Sequence, residues 1–280
     1  MARHQESQSP KPDAVADHYA SGYEANRLHT GTGKLDRERS RELLKRFLPA
    51  PPATVLDVGG GPGGHACWLA KQGYTVHLID ITPLHVHLAQ EASRCQPDAP
   101  LANATVGDAC SLPWQDEKAD ALLLFGPLYH LTDVRDRLQT LHEGFRVLKP
   151  GGVLLAVGIS RFASTFDGLR SGYLKDQGFA EIVMQDLASG QHRNPTDQPE
   201  YFMDTFLHHP DELRQELAQA GFVVREILGV EGPCWLLPDF DAWWEDADYR
   251  ARLLRIARTL ETEPSLLGVS AHLVAVAIKE

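Results

Sequence analysis

Three acidic residues stand where extended runs give way to turns. Asp57 precedes the glycine-rich stretch Gly59-Gly-Gly-Pro-Gly-Gly64, Asp80 follows a second apolar run, and Asp108 lies in Val106-Gly-Asp-Ala109 after a third. Carboxylates at such tips accept hydrogen bonds from hydroxyl, amino or N–H groups of a ligand. Glycine removes the Cβ atoms that would keep a ligand off the backbone and adopts dihedrals that other residues avoid. Tyr129-His130 follows a fourth apolar run and offers a group able to move a proton.

Two readings fit the glycine turn. Gly59, Gly61 and Gly64 match G-x-G-x-x-G with Asp80 about 20 residues on, the pattern of a nicotinamide-dinucleotide site and hence of an NAD(P)-dependent oxidoreductase. The second reading is a cationic nucleoside. Asp57 would repel a pyrophosphate but suits a ligand with a cationic amino acid portion. Pro62 has no N–H to offer a phosphate. Asp108 can accept from an adenine amino group, a use that needs no phosphate.

These residues need strands to carry them. Apolar or β-branched runs at 55–58, 74–79, 101–106, 119–125 and 152–159 read as strands, with helical patterns at 64–72, 83–94 and 133–148 between them. The break Leu148-Lys-Pro-Gly-Gly152 turns the chain from the long helix into the fifth strand. Such alternation predicts a doubly wound, mostly parallel α/β sheet, whose ligands bind outside the carboxyl ends of the strands. After a helix at 210–220, strands at 222–230 and 270–279 have no crossover helix between them and predict an antiparallel pair at one edge. Helices are expected at 13–23 and 35–48. Residues 1–50 are thus read as an N-terminal helical lid and 51–280 as the core, with cap insertions at 160–206 and 231–264.

A net charge of −11 argues against nucleic acid as a partner. No apolar run approaches the roughly 20 residues that a bilayer crossing requires, so the expectation is a cytoplasmic protein with no membrane partner. Cys67, Cys95, Cys110 and Cys234 lack metal or disulfide spacing and read as reduced thiols. His85 and His87, two apart on a helix, point to different faces, and no metal is expected.

The combination Val55-Leu-Asp-Val-Gly-Gly-Gly-Pro-Gly63, Asp80, Gly107-Asp108 and Leu148-Lys-Pro-Gly-Gly152 resembles the class I S-adenosylmethionine-dependent methyltransferases. The motifs cover residues 54–160, and the element order extends the likeness to Lys279. The resemblance implies a seven-stranded Rossmann-like sheet with an antiparallel last strand and S-adenosyl-L-methionine as cofactor. It implies that Asp57, Gly59 and Gly61 frame the methionine portion and that Asp80 accepts from the ribose hydroxyls. Ile81 would pack on adenine, and Asp108 with Ala109 would hold its amino edge. Phe125-Gly-Pro-Leu-Tyr-His-Leu131 looks like a segment of small-molecule members and puts Phe125 and Leu131 at the cofactor. Tyr19 and Tyr23, one helical turn apart, could close over a sulfonium.

Displacement at a sulfonium is mainly a matter of alignment, and a base matters only where the acceptor must lose a proton. His130, Tyr129 and Arg161 are the candidate catalytic groups; His192, Tyr201 and His208 are the candidate substrate contacts. Arg193 and His209 add to a cap expected to orient a polar or partly anionic small molecule. Oxygen or nitrogen is the expected acceptor, with carbon a third option and specialised metabolism the setting that the family suggests. A non-catalytic binding protein on the same fold is the further alternative, and a homodimer is the candidate assembly.

Overall fold

The computed structural model describes residues 28–196 and 198–280. Tyr19, Tyr23 and the helix expected at 13–23 lie outside the described residues.

Strand β1 (Thr54–Val58) sits between β2 (Thr75–Asp80) and β4 (Ala119–Leu124), parallel to both, and β3 (Asn103–Val106) flanks β2. Strand β5 (Leu148–Ser160) runs parallel to β4, while β9 (His272–Ile278) pairs antiparallel with both β5 and β8 (Val223–Gly229). Seven strands therefore run in the order β3-β2-β1-β4-β5-β9-β8. This is the mostly parallel α/β sheet with a closing antiparallel pair that the residue pattern predicts.

The described sheet is larger than the expected seven strands, because the insertion after β5 adds two short ones. β7 (Thr205–His208) pairs parallel with Ile159 and Ser160 of β5, and β6 (Gln191–His192) pairs antiparallel with β7. β4 ends opposite Ala156, which leaves the tip of β5 unpaired on that side until β7 takes it up. An edge left bare in this way would expose N–H and C=O groups. The same insertion also holds α6 (Ala163–Ser171) and α7 (Gln177–Ser189).

Period-two alternation splits each strand between the two faces. Val55, Leu123, Leu155 and Val274 point to one face, where α1 (Gly33–Phe47), α2 (Gly64–Lys71) and α3 (Pro83–Arg94) cover them. Leu56, Leu122, Leu154 and Ala275 point to the other, under α5 (Val134–Val147) and α8 (Pro210–Gln219). Being buried on both faces makes the central strands continuously apolar, as their sequences are.

The second insertion folds back on α1. Its helices α9 (Phe240–Trp244) and α10 (Ala247–Leu260) bury Phe240, Trp244, Leu253 and Ala257 around Leu35. Phe240 and Trp244 stack at 5.2 Å, so this tryptophan packs a core, whereas Trp243 is exposed. Lys34 pairs with Asp241 at 3.0 Å, and the buried Arg39 pairs with Glu261. The first described helix and the second insertion thus form one layer beside the sheet's carboxyl end.

Candidate functional site

The turn after β1 is built by close approaches that only glycine permits. Gly59 has φ +72°, and a Cβ there would lie 2.5 Å from Pro127 Cδ, in the one-turn helix α4 (Pro127–His130) that follows β4. A Cβ on Gly60 would lie 2.9 Å from the Asp57 carboxylate, and one on Gly107 would lie 2.8 Å from Ile79. Gly63, at φ +85°, caps α2, where a Cβ would meet Ala89 of α3 at 3.1 Å. Neighbouring strand tips are thereby drawn together around a single opening.

Asp80 ties that opening into shape. Its Oδ2 accepts from the Gly61 N–H at 2.8 Å, and its Oδ1 accepts from the Thr82 N–H at 2.8 Å, with His85 Nδ1 3.2 Å away. A carboxylate has about four acceptor positions, so capacity for ligand hydroxyls remains. Asp57 is 2 % exposed, and its Oδ2 has no hydrogen-bond partner among the described residues. Burial, reinforced by the nearby charge of Asp80, pushes its carboxyl up to about 7. A buried, unpartnered acceptor beside a second carboxylate is costly to the fold. A cation placed against it would relieve both the unmet hydrogen bond and the repulsion. Asp108 accepts from the Cys110 N–H at 2.8 Å, which fixes its turn beside Ala109.

These groups open on one cavity of about 450 Å³. Asp57, Gly59, Gly61, Asp80, Ile81, Asp108, Ala109, Phe125, Tyr129, His130 and Leu131 all line it. His65 meets Phe125 edge-on at 5.6 Å, and the rings of Tyr129 and His130 lie 4.6 Å apart. The arrangement can seat a nucleoside-sized cation along the strand tips.

Residues 56–156 match the family model described as a methyltransferase domain. Together with the fold and the acidic strand tips, this decides the family of that segment. These residues form a class I methyltransferase domain. Methyltransferase GfsG of Streptomyces halstedii is 31% identical over 43% of this chain and 42% of its own length. A demethylmenaquinone methyltransferase of Tropheryma whipplei is 31% identical over 60% of this chain and 65% of its own. This chain spans 42 to 65% of the length of the curated relatives just named. Among solved structures, an S-adenosylmethionine-dependent methyltransferase of Methanosarcina mazei superposes with a TM-score of 0.57 at 23% identity, covering 85% of this chain and 96% of that one. The [4+2]-cyclase SpnF superposes with a TM-score of 0.63 at 16% identity, covering 97% and 98%. At these identities the structural likenesses establish the fold.

Several expected site residues are placed away from the domain's cavity. Arg161 is buried, donates to the Leu207 carbonyl at 2.9 Å and pairs with Glu212, so its charge is spent on holding β5 to β7 and α8. His208 is fully buried against Glu216 at 3.3 Å, and burial lowers its pKa. Glu216 also receives Arg137 at 2.7 Å. Burial alone would raise the Glu216 carboxyl, yet hydrogen bonds from His208 and Arg137 overcome it and hold the group down at about 2. Arg193 pairs with Asp204 at 3.4 Å. Arg161, His208 and Arg193 are therefore engaged by neighbouring side chains of the protein, whereas the expectation from sequence is that they orient a substrate.

His192 and Tyr201 line a second cavity of about 220 Å³ under α6 and α7. His192 has Asp186 at 2.8 Å on Nδ1 and the Tyr201 carbonyl at 2.8 Å on Nε2, so both ring nitrogens serve the cap. Phe179, Tyr201, Phe202 and Trp235 give this cavity aromatic walls. Tyr129 and His272 line both cavities and form the boundary between them.

Asp36, Ser40, Val230 and His272 extend the first cavity beyond what the motifs indicate. Glu231 stands behind His272, their contact 2.6 Å. Asp36 and Ser40 sit one turn apart on α1, hydrogen-bonded at 3.0 Å, a polar pair beside the apolar Leu43 and Leu44. That pairing was a readable signal. Glu231 and His272 flank a long insertion, and nothing in their spacing brings them together. The described residues contain one group able to gather around a metal, Asp36, Glu231 and His272, where no metal is expected from sequence.

Proposed function

We propose that the protein transfers a methyl group from S-adenosylmethionine to a small-molecule acceptor. The observation that carries this reading is the buried, unpartnered Oδ2 of Asp57, in a cavity that Asp80 and Asp108 also line. An ammonium-bearing cationic nucleoside complements three acidic strand tips, whereas a pyrophosphate would be repelled by them. Asp57 and the backbone of Gly59 and Gly61 would hold the amino acid portion. Asp80 would accept from the ribose hydroxyls, Ile81 would face the adenine, and Asp108 with Ala109 would take its amino edge. Phe125, Tyr129 and Leu131 would surround the sulfur end, leaving the methyl to emerge toward His130 and the second cavity.

The cofactor supplies a methyl group on a cationic sulfur, already an excellent leaving group. What remains for the chain is to align the acceptor and exclude water. The aromatic second cavity supports an acceptor with an apolar body, meeting the methyl at the Tyr129–His272 boundary. Oxygen or nitrogen is the acceptor atom that we favour. Carbon stays in the set because relatives such as that of Ruegeria sp., 27% identical over 61% of this chain, are named C-methyltransferases. The net charge of −11 supports a small molecule over nucleic acid. Four free cysteines, two of them buried, support a reducing, cytoplasmic setting.

Calorimetric titration tests the cofactor. S-adenosylmethionine and S-adenosylhomocysteine are expected to bind, and NAD(H) and NADP(H) are not. The fold also carries a protein named a [4+2]-cyclase, so binding alone does not establish methyl transfer. Transfer of isotope-labelled methyl to a metabolite extract is the second arm. Binding without any labelled product would favour a non-catalytic role.

A further inference from the structure

The boundary between the two cavities holds a carboxylate–imidazole pair that none of the methyltransferase motifs includes. His272 opens β9, with its side chain 22% exposed, and Glu231 lies two residues past β8, with its side chain 3% exposed. Glu231 Oε1 is 2.6 Å from His272 Nδ1. The other oxygen, Oε2, accepts from the Ser270 hydroxyl at 2.8 Å and from the His272 N–H at 3.0 Å. Ser270 Oγ in turn accepts from the Glu231 and Gly232 N–H groups. The carboxylate is thus locked from several sides, and it can fix the imidazole in the tautomer whose Nδ1 donates.

We infer that Glu231–His272 is the proton-accepting pair of the enzyme, acting on an aromatic hydroxyl acceptor held in the second cavity. This rests on the methyl-transfer reading above. With Nδ1 engaged by Glu231, Nε2 is the nitrogen that exchanges a proton with the acceptor. A carboxylate on Nδ1 stabilises the imidazolium that forms, as in other carboxylate–histidine arrangements. His272 borders both cavities, so it stands where an acceptor on one side meets a methyl donor on the other. Phe179, Tyr201 and Trp235 would sandwich an aromatic ring. Ser164 Oγ, buried on the same wall with no partner among the described residues, would meet a polar substituent on that ring.

The step balances without an added reagent. The hydroxyl proton passes to Nε2, and the oxygen's electron pair forms the new bond to the methyl carbon. The carbon–sulfur bond breaks as its pair stays on sulfur, which becomes a neutral thioether, and the imidazolium later releases its proton to solvent. Asp36 lies in the same cluster, with a carboxylate oxygen within 4.8 Å of the pair, and its charge favours the same imidazolium. A shared metal fits less well, because His272 Nδ1 and Glu231 Oε1 already meet each other at 2.6 Å. Other titratable groups near the pair are Arg39, bonded to the Val230 carbonyl, with Tyr129, Asp167, His192 and Glu200 on the cavity walls.

The test uses 4-nitrophenol, whose ionisation is visible by absorbance, with the full chain saturated by S-adenosylhomocysteine. The wild type is expected to bind the probe and ionise it at a pH about one unit below its free value, about a tenfold higher phenolate-to-phenol ratio at any given pH. His272→Asn and His272→Gln should bind the probe in its neutral form, and Glu231→Gln should lose most of the gain. An unchanged thermal unfolding transition and circular dichroism spectrum in each variant certify its fold. Failure of S-adenosylhomocysteine to bind the wild type would defeat the cofactor reading itself. With cofactor product bound, an unbound probe would overturn the aromatic acceptor. Equal ionisation in the His272 variants, or ionisation that vanishes with EDTA and returns with Mg²⁺, would overturn the pair as the base.

Discussion

The strand-tip cavity and the cap use polar side chains in opposite ways. At the glycine turn, Asp57 is buried with an oxygen that meets no donor among the described residues, and its carboxyl is pushed up to about 7. Under the cap, Arg137, Glu216, His208, Arg161 and Glu212 lie mostly buried too, yet they are joined to one another, and Glu216 is held down at about 2. Arg137 even lays its guanidinium 3.6 Å from the centre of the Phe206 ring. The lesson concerns how to sort buried charge. Groups that satisfy each other hold the structure, whereas a group that the fold leaves unsatisfied is poised for a ligand.

The largest effect that would break this contrast lies beneath the cap, between α5 and α8. Arg137→Met should cost about 3–5 kcal/mol in urea unfolding, because it strands a buried Glu216 carboxylate. S-adenosylhomocysteine affinity of the folded fraction should stay near that of the wild type. A lowered carboxyl pKa stabilises the fold above the unfolded value and loses that contribution as pH falls toward about 2. Glu216→Gln should therefore flatten the acid limb of the stability curve. Cofactor affinity falling in step with stability would erase the division between the two regions.

A smaller effect belongs to the strand tips. Asp80→Ala should weaken S-adenosylhomocysteine binding by about 1–3 kcal/mol, the worth of charge-assisted hydrogen bonds. It also removes the acceptor of the Gly61 and Thr82 N–H groups, so a looser glycine turn adds to the loss. Asp80→Asn keeps a carbonyl acceptor and should lose less. Affinity unchanged in both, measured by calorimetry, would take Asp80 out of the site.

The sequence disclosed the strand-tip region far better than the cap, for a physical reason. Asp57, Asp80 and Asp108 are placed by local rules: a strand ends, a turn begins, and the side chain at that junction faces the opening. Seven strands and the described helices that cover their two faces follow from hydrophobic period, with ends shifted by a few residues at most, whereas α7 and α10 in the insertions are not expected from it. The cap offers no such rule. Arg161 looked available because it follows β5, but its partner Glu212 lies 51 positions away and arrives through the pairing of β7 with the tip of β5. Glu231 and His272 are 41 positions apart across an irregular insertion. The antiparallel pairing of β8 with β9, itself expected, brings them together, but its register, which sets His272 beside Glu231, is not encoded by the periodicity of either segment.

The finest test of the contrast is the proton on Asp57. Its folded pKa of about 7 lies above the ordinary 3.8, so the folded protein without ligand holds this proton through a window in which the unfolded chain has lost it. Native stability from this group is therefore fully present below about pH 4 and declines as pH rises toward 7. An ammonium bound against the carboxylate reverses the preference and expels the proton. S-adenosylhomocysteine affinity should then rise between about pH 5 and 7, by less than tenfold per unit, and level off above. His65, His85 and His130 line the same cavity, so the wild-type slope alone does not isolate Asp57. Asp57→Asn does isolate it. The variant should bind more weakly at pH 8, differ less from the wild type at pH 5, and release less proton on binding. Proton release is read from calorimetric heats in buffers of different ionisation enthalpy. The same slope and the same proton release in both proteins would mean that Asp57 keeps its proton on binding, and that the fold, not the ligand, accounts for this carboxylate.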